Sequence, residues 1–471
     1  MKKLTALLLI LCLLLCGTLV GCRNGDDTVA TTDGQEEDEK PKKTEKSEDD
    51  GSQTAATNPP ATTNTPASTN EPATTDAPAT SNPIAEGSSE EPVSSGTLTE
   101  EDEPPHVHAY GADDKCEACG EAYENIGLLF SKADETYSVV GYPGSEKEVI
   151  IPSKYKGIAV TSIGDKAFYN NQILEDIVIP EGVVTIGKQG FCYCDNLKSI
   201  SIPSTLTAIG EKAFQVNYGY GYNKKVYISD LSAWCKIEFG TSTSGYSDGA
   251  NPLKNSYLYL NNVAVSEISI PNNVTEISAK AFLCANGIES IIIPNSVTKI
   301  GAAAFHEVSA TNLHIGNGVT SIGNDAFTLP YGRKITNLYI TDIAAWCNIE
   351  SNNALSIAKN LYINDVLTTD IVIPEGVTNI GCVFKYFEGC TSVTLPSTVT
   401  SLDEHAFLQC RNLTTITFPH SITNVGYQAF LYCDKLSTVL YSGTEEQWNA
   451  VTFDLSNYNL TNANIIYNYQ P

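Results

Sequence analysis

The chain has 471 residues, with 28 Lys and Arg against 55 Asp and Glu, which gives a net charge of −27 at pH 7. Acidic residues also outnumber basic ones after residue 105, by 35 to 21. This charge has the wrong sign for holding a phosphate backbone, so we exclude nucleic acid as a partner.

The first 22 residues combine two lysines, an apolar run and a terminal cysteine. Lys2 and Lys3 precede a short apolar run that ends in Leu-Val-Gly-Cys at 19–22, as in a secretory signal. The ending resembles a bacterial lipobox. This resemblance implies that residues 1–21 are removed, that Cys22 is lipidated and that the protein is anchored outside a bacterial membrane. An ordinary signal peptide or a transmembrane anchor is the alternative.

Residues 22–105 are predicted to be a disordered acidic and Thr/Pro-rich linker. From residue 23 onward this stretch holds 20 acidic and 5 basic residues and almost no large apolar ones. Such a composition cannot offset the entropy of folding, and its charge extends the chain. We interpret the linker as a stalk that lifts the rest of the protein off the membrane; a linker without function predicts the same disorder.

Residues 106–123 form a small module with His106 and His108 ahead of Cys116 and Cys119. A C-x-x-C followed by Gly can present two thiolates to Zn²⁺, and the two histidines would complete four ligands. Four protein ligands leave no open position, so such a zinc would be structural. A Cys116–Cys119 disulfide, or no bond at all, stays open. No other cofactor is expected.

Residues 124–159 are predicted to cap the start of a repeat array that spans 160–440. The repeat reads V-x-x-I-G-x-x-A-F-x-x-C/N-x-x-L-x-x-I-x-I-P, and neighbouring copies are commonly 23 residues apart. Its phenylalanines mark the copies: Phe168, Phe191, Phe214, Phe282, Phe305, Phe327, Phe407 and Phe430. A fixed period of this length predicts a solenoid, because one copy cannot bury its apolar residues alone.

Each slot of the repeat predicts a local structure. The alternating I-x-I piece predicts a short strand with one inward face, so the copies would form a parallel sheet. The glycine after the first isoleucine suggests a turn with positive φ. The slot three residues after the phenylalanine commonly holds Asn or Cys, for example Asn171 and Cys194, whose side chains would bond loop backbone inside the coil. Ala285, Val308 and Pro330 depart from this pattern. We therefore interpret these cysteines as buried structural residues.

This repeat resembles the BspA-type leucine-rich repeats of bacterial surface proteins over about residues 135–445. The resemblance implies a leucine-rich-repeat solenoid, a β-rich α/β fold of short parallel strands with turns and short helices. It also implies extracellular adhesion or ligand binding.

Two longer units, at 218–265 and 330–368, interrupt the regular spacing. They share the sequences VYISDLSAWCKIE and LYITDIAAWCNIE. A third relative, YSGTEEQWNAVTF, opens a predicted C-terminal cap at 441–471. We expect Asp230 and Asp342 to cap short helices whose tryptophans are buried. A ligand-binding role for the tryptophans is the alternative.

No catalytic motif stands out, and we predict that the protein is not an enzyme. Binding would use the outward positions of the strands, which alternate with the buried isoleucines. These positions are Asp176, Val178, Ser199, Ser201, Ser290, Ile292, His314, Thr394, Thr415 and Thr417. The partner would be an extracellular protein. A glycan or cell-wall polymer is the alternative, and an enzyme with a site in the tyrosine-rich loops near residue 220 is the third hypothesis.

Overall fold

A computed structural model describes residues 115, 127–217, 219, 221–241, 249–329, 335–351 and 358–470. The signal peptide, the stalk and the His/Cys module were predicted for residues that lie outside this part, apart from Lys115. The described chain forms stacked turns that fall into three successive runs, at 127–264, 267–368 and 370–470.

The described residues of the first run form thirteen strands and one helix. They are β1 (Leu129–Ala133), β2 (Thr136–Gly141), β3 (Glu148–Ile150), β4 (Lys154–Tyr155), β5 (Ile158–Ile163), β6 (Asp176–Val178), β7 (Thr185–Ile186), β8 (Ser199–Ile202), β9 (Ala208–Ile209), β10 (Lys225–Ile228), α1 (Leu231–Trp234), β11 (Glu238–Phe239), β12 (Tyr257–Leu260) and β13 (Val263–Ala264).

The second run repeats this plan. Its elements are β14 (Glu267–Ser269), β15 (Glu276–Ile277), β16 (Ser290–Ile293), β17 (Lys299–Ile300), β18 (Asn312–Ile315), β19 (Ser321–Ile322), β20 (Asn337–Ile340), α2 (Ile343–Cys347), β21 (Glu350–Ser351), β22 (Asn360–Ile363) and β23 (Val366–Thr368).

The third run ends the described chain. Its elements are β24 (Asp370–Val372), β25 (Asn379–Ile380), a 3₁₀ helix (Cys382–Phe384), β26 (Ser392–Thr394), β27 (Ser401–Leu402), β28 (Thr415–Phe418), β29 (Asn424–Val425), β30 (Thr438–Tyr441), α3 (Glu445–Asn449), β31 (Thr452–Phe453), α4 (Tyr458–Thr461) and β32 (Asn464–Ile466).

Each regular turn contributes one strand to each of two parallel sheets. The I-x-I pieces form one sheet, in the order β3, β6, β8, β10 and β12 in the first run. The residues before each I-G form the other, as β5, β7, β9 and β11 do. The predicted solenoid of short parallel strands, turns and short helices is confirmed, whereas the second row of strands was not foreseen. Antiparallel strands β13 and β23 close the strand sheets of the first two runs.

The repeat phenylalanines are stacked in the interior. All eight are at most 5% exposed. Ring centroids are 4.8 Å apart from Phe168 to Phe191 and 5.0 Å apart from Phe282 to Phe305, with nearly parallel planes. Phe384 extends the column of the third run, 5.5 Å from Phe407. Stacking of equivalent side chains therefore holds successive turns at a fixed spacing.

The Asn/Cys slot ties loop backbone together, as the sequence predicts. Asn171 Oδ1 accepts hydrogen bonds from the backbone N–H groups of Ile173 and Leu174, both at 2.9 Å. The Cys194 thiol donates to the carbonyl of Phe168 in the preceding turn, at 3.0 Å. Burial raises the pKa of Cys194 to about 12, so its thiol is neutral and unreactive.

The prediction of positive φ for the I-G glycines was wrong. None of these glycines has a positive φ; that conformation occurs instead at the following non-glycine positions, for example Lys166 and Gln189. What excludes a side chain is the neighbouring turn. A methyl group at Gly210, Gly323 or Gly426 would lie 2.5–2.6 Å from backbone atoms of the preceding turn. The glycine therefore permits close stacking of the backbone.

The three tryptophans belong to the helices that follow β10, β20 and β30. Trp234, Trp346 and Trp448 are at most 5% exposed, which contradicts the alternative of a ligand-binding role. Trp234 Nε1 donates to the carbonyl of Ala281 at 3.0 Å, which joins the first run to the second. The predicted caps are confirmed, since Asp230 and Asp342 each accept two backbone N–H groups of α1 and α2.

We predict that Phe305→Ala lowers the free energy of unfolding by about 3–5 kcal/mol, because it leaves a cavity in a packed column. Tyr169→Ala, which truncates an exposed aromatic ring, should cost less than about 1 kcal/mol. Denaturant titration of both variants measures the difference. Equal losses would contradict a packed interior column.

We also predict that Gly426→Ala destabilises the chain by about 1–3 kcal/mol through overpacking. Gly381→Ala is the matched control, because Gly381 occupies the same slot and a methyl group there meets no atom closer than 3.8 Å. Its melting temperature should stay unchanged or rise. A similar loss for both variants would show that backbone conformation, and not the neighbouring turn, requires the glycine.

Candidate functional site on the outward strand face

The candidate site is the outward side of the I-x-I strands, here called the strand face. The isoleucine positions of these strands point inward, and Ile177, Ile200 and the equivalent Val226 are at most 1% exposed. The residues on either side point outward and line up across the sheet through parallel pairing. The strand face therefore consists of two rows in each run, an edge row and a central row.

In the first run the edge row contains Asp176, Ser199, Lys225 and Tyr257, and the central row contains Val178, Ser201, Tyr227 and Tyr259. The Ser199 hydroxyl donates to Asp176 Oδ1. The rings of Tyr227 and Tyr259 are 4.9 Å apart, and Lys225 Nζ lies 5.8 Å from the centroid of Tyr259. Small hydroxyl groups thus give way to aromatic rings along this face.

The edge row of the second run is a ladder of amides. Asn337 Nδ2 donates to Asn312 Oδ1, and Asn360 Nδ2 donates to Asn337 Oδ1, both at 2.9 Å. Ser290 precedes these residues in register. Each amide orients the next one, so the row is a preorganised set of donors and acceptors.

The central row of the second run is a stack of rings. His314 lies 4.1 Å from Tyr339, and Tyr339 lies 4.6 Å from Tyr362, with interplanar angles of 5° and 17°. Ile292 precedes His314 in register. Burial lowers the pKa of His314 and raises that of Tyr339, so both rings are neutral at pH 7. Since neighbours cover the faces between these rings, the row offers mainly ring edges and hydroxyl groups to a ligand.

In the third run the edge row is formed by Asp370, Ser392, Thr415 and Thr438. The hydroxyls of Thr391 and Ser392 donate to Asp370, and these bonds hold the pKa of its carboxyl below the usual range. Thr394 and Thr417 belong to the central row. Thr417 is only 9% exposed, so it differs from the expected outward residue.

Nine of the ten predicted face residues lie on the strand face of three separate runs, and the tenth, Thr417, is in register with them but buried. The sequence analysis missed the side chains that form the ring stacks and the amide ladder of that face. They are Tyr227, Tyr259, Tyr339, Tyr362, Asn312, Asn337 and Asn360. Most of these belong to the longer units, whose V-Y-I, L-Y-L and L-Y-I pieces match the I-x-I strands. Aligning these pieces with the regular copies would have located the four tyrosines.

The other predicted sites lie outside the described residues. Cys22, His106, His108, Cys116 and Cys119 all fall there, so the lipid anchor and the zinc site stay predictions. In the part of the chain that the structure describes, no group of three or more His, Cys, Asp or Glu side chains is placed to hold a metal ion. None of the helices in that part has the length and apolarity to cross a membrane.

Comparisons with known proteins concern the same repeats. Similar solved structures include a leucine-rich cell surface protein from Faecalibacterium prausnitzii (22% identity, TM-score 0.33, 70% of this chain and 97% of the other). A leucine-rich repeat protein from Bacteroides ovatus shows 20% identity and a TM-score of 0.35 over 70% and 98% of the two chains. The pneumococcal vaccine antigen PcpA shows 14% identity and a TM-score of 0.36, over 73% of this chain and 96% of the antigen. No curated protein matches the chain.

The family model for the BspA type leucine rich repeat region matches six copies, in residues 147–220, 255–347 and 355–470. These ranges cover more than half of the chain and include every strand from β6 to β9 and from β14 to β20. They also contain the columns of stacked phenylalanines. The chain therefore belongs to the BspA-type leucine-rich-repeat family.

Proposed function

We propose that this chain is a non-catalytic protein of the bacterial cell surface that binds extracellular proteins through its strand face. The observation that carries the proposal is the pair of ordered rows in the second run, where amides and rings form continuous ladders. Tyrosine is enriched at protein interfaces, and a rigid array loses little side-chain entropy on binding.

The chemistry of the rows favours a protein over a glycan at this face. Glycans are commonly held against exposed aromatic faces, whereas Tyr339 is covered by His314 on one side and Tyr362 on the other. Ring edges, hydroxyl groups and amides instead suit the mixed polar and apolar surface of a folded protein. Because the rings of this row are neutral, they do not require a strongly charged patch on the protein ligand.

A glycan remains the second candidate because of one surface depression. It has a volume of about 380 Å³ and lies where the second and third runs meet. Its lining includes the amide and hydroxyl groups of Asn360, Thr391, Asn412 and Thr414 and the charged side chains of Lys359, Glu388 and Lys435. Amide and hydroxyl groups of this kind hydrogen-bond to sugar hydroxyls.

The segments that precede the repeats would display them on the outside of the cell. Lipidated Cys22 would hold the chain at the membrane, and residues 22–105 would serve as a stalk. The His/Cys module at 106–123 would stabilise the junction through structural Zn²⁺ or through a disulfide. These assignments are supported by the sequence patterns and by the solenoid that follows them.

We predict that Tyr339→Ala combined with Tyr362→Ala weakens binding to a protein ligand by at least about tenfold, because interface tyrosines are often hot spots. The ligand is first selected by screening the full chain against extracellular-matrix proteins and purified glycans on a sensor surface. Tyr427→Ala combined with Tyr432→Ala is the control, since both tyrosines are exposed and lie outside the strands.

Two results would contradict this function. The first is binding to glycans alone. The second is a matrix protein that binds the Tyr339/Tyr362 variant as tightly as the unchanged chain while the control variant loses binding. Circular dichroism of both variants checks that each solenoid stays folded.

We predict that the intact chain, expressed in a bacterium, incorporates labelled fatty acid and enters the detergent phase on phase separation. Cys22→Ala should abolish both properties, because the thiol of Cys22 is the predicted attachment point. Labelling of the separated phases measures the change. A Cys22→Ala chain that stays in the detergent phase would support the transmembrane anchor instead.

A further inference from the structure

A pocket of about 230 Å³ lies among the last turns of the first run. One wall is the chain that leads into β10, with residues 214–217 and 221–224. The other is the chain that leads into β12, with residues 249–255. The volume is below the roughly 300 Å³ at which drug-sized sites begin, so it suits a small ligand such as one sugar ring.

Lys224 is the unusual residue of this pocket. Its side chain lines the cavity, yet the residue is only 4% exposed. Its ammonium group donates to the carbonyl oxygen of Gly221. Among the described residues it forms no ion pair with a carboxylate, and Lys254 is the charge that acts on it. A buried cation without an anionic partner costs free energy, and proteins therefore rarely contain one.

The surroundings favour an anion. The pocket is lined by two lysines, Lys224 and Lys254, and by no Asp or Glu among its described residues. This contrasts with a chain in which acidic residues outnumber basic ones by 55 to 28. Burial, and secondarily the charge of Lys254, lowers the pKa of Lys224 to about 8. An anion in the pocket would offset both the cost of burying the Lys224 charge and its repulsion by Lys254.

The hydrogen-bonding groups favour a carboxylate over a phosphate. Phosphate sites usually offer several free backbone N–H groups. Here five lining residues already use theirs within the fold: Phe214, Gln215, Asn217, Lys254 and Asn255. Fewer of the lining N–H groups are thus left for a phosphate, and the buried Lys224 ammonium group is a point charge that matches one negative charge. Tyr222 lines one wall and Asn255 lines the other, and their hydroxyl and amide groups are of the kind that hydrogen-bonds to sugar hydroxyls.

We propose that this pocket binds a small hydroxylated carboxylate, of the size and chemistry of a single uronic acid, with the Lys224 ammonium group paired to its carboxylate. The site is distinct from the strand face, because it lies in the loops that precede β10 and β12. It would give the protein a second ligand, recognised by charge and shape in a cavity. Binding at the strand face does not depend on it.

Isothermal titration calorimetry of the full chain tests the proposal with sodium glucuronate as the probe. Glucose is the neutral match of the probe, and inorganic phosphate is the competing anion. We expect glucuronate to bind at least tenfold more tightly than either. Absence of glucuronate binding, or phosphate binding that is equally tight and equally dependent on Lys224, would overturn the assignment.

Lys224→Met should weaken glucuronate binding at least tenfold, whereas the control Lys236→Met, which removes an exposed charge after α1, should stay within twofold. Methionine fills similar space without a buried charge, so the variant should stay folded, as its melting temperature would show. Unchanged affinity in a folded Lys224→Met chain would refute the role of Lys224.

The pH dependence gives a second readout that needs no variant. With a pKa of about 8, Lys224 loses its proton at a pH well below the pH at which an ordinary lysine does. Affinity for glucuronate should therefore fall about 30-fold between pH 7 and pH 9.5, while an ordinary lysine would stay charged over this range. The melting temperature at both values confirms the fold. Equal affinity at both values would rule out Lys224 as the cationic partner.

Discussion

The contact between one turn and the next is the interaction on which the whole structure depends. The stacked rings set the spacing, as between Phe191 and Phe214, whose centroids are 5.1 Å apart. At that spacing the backbones come so close that Gly426 cannot carry a side chain. Both strand sheets follow from the same stacking. Each turn therefore gains its stability from its neighbours.

The same constraint orders the outer surface. Because inward residues fix the register, outward residues of equivalent strands must lie side by side. Asn312, Asn337 and Asn360 become a ladder for this reason, and so do the rings that follow His314. The longer units within the runs have a different effect. They bring together loops that do not follow the repeat, and the pocket around Lys224 arises at one of these places.

The fold could be predicted from the sequence because its main signal is periodic. Phe168 and its equivalents revealed the interior column, and Asp230 revealed the cap of α1. The glycine slot was misinterpreted, because a positive φ and a close approach of two backbones both require glycine. Only the structure shows which of these two reasons applies. The site was predicted in part. Ser199 and His314 follow the regular copies, whereas Tyr339 and Tyr362 needed alignment of irregular units. Lys224 is buried by chain segments about 30 residues apart, which no local pattern indicates.

Removal of one complete turn shows whether contact between equivalent turns stabilises the fold. Deletion of residues 183–205 takes out 23 residues and joins equivalent points of two copies, Gly182 to Leu206. We predict a folded chain with a cooperative unfolding transition and a slightly smaller denaturant m-value, because the surface buried by one turn is missing. Deletion of only residues 183–193 should unfold the first run, because it breaks the register. If the whole-turn deletion is as damaging as the half-turn deletion, equivalent neighbours are not what stabilises each turn.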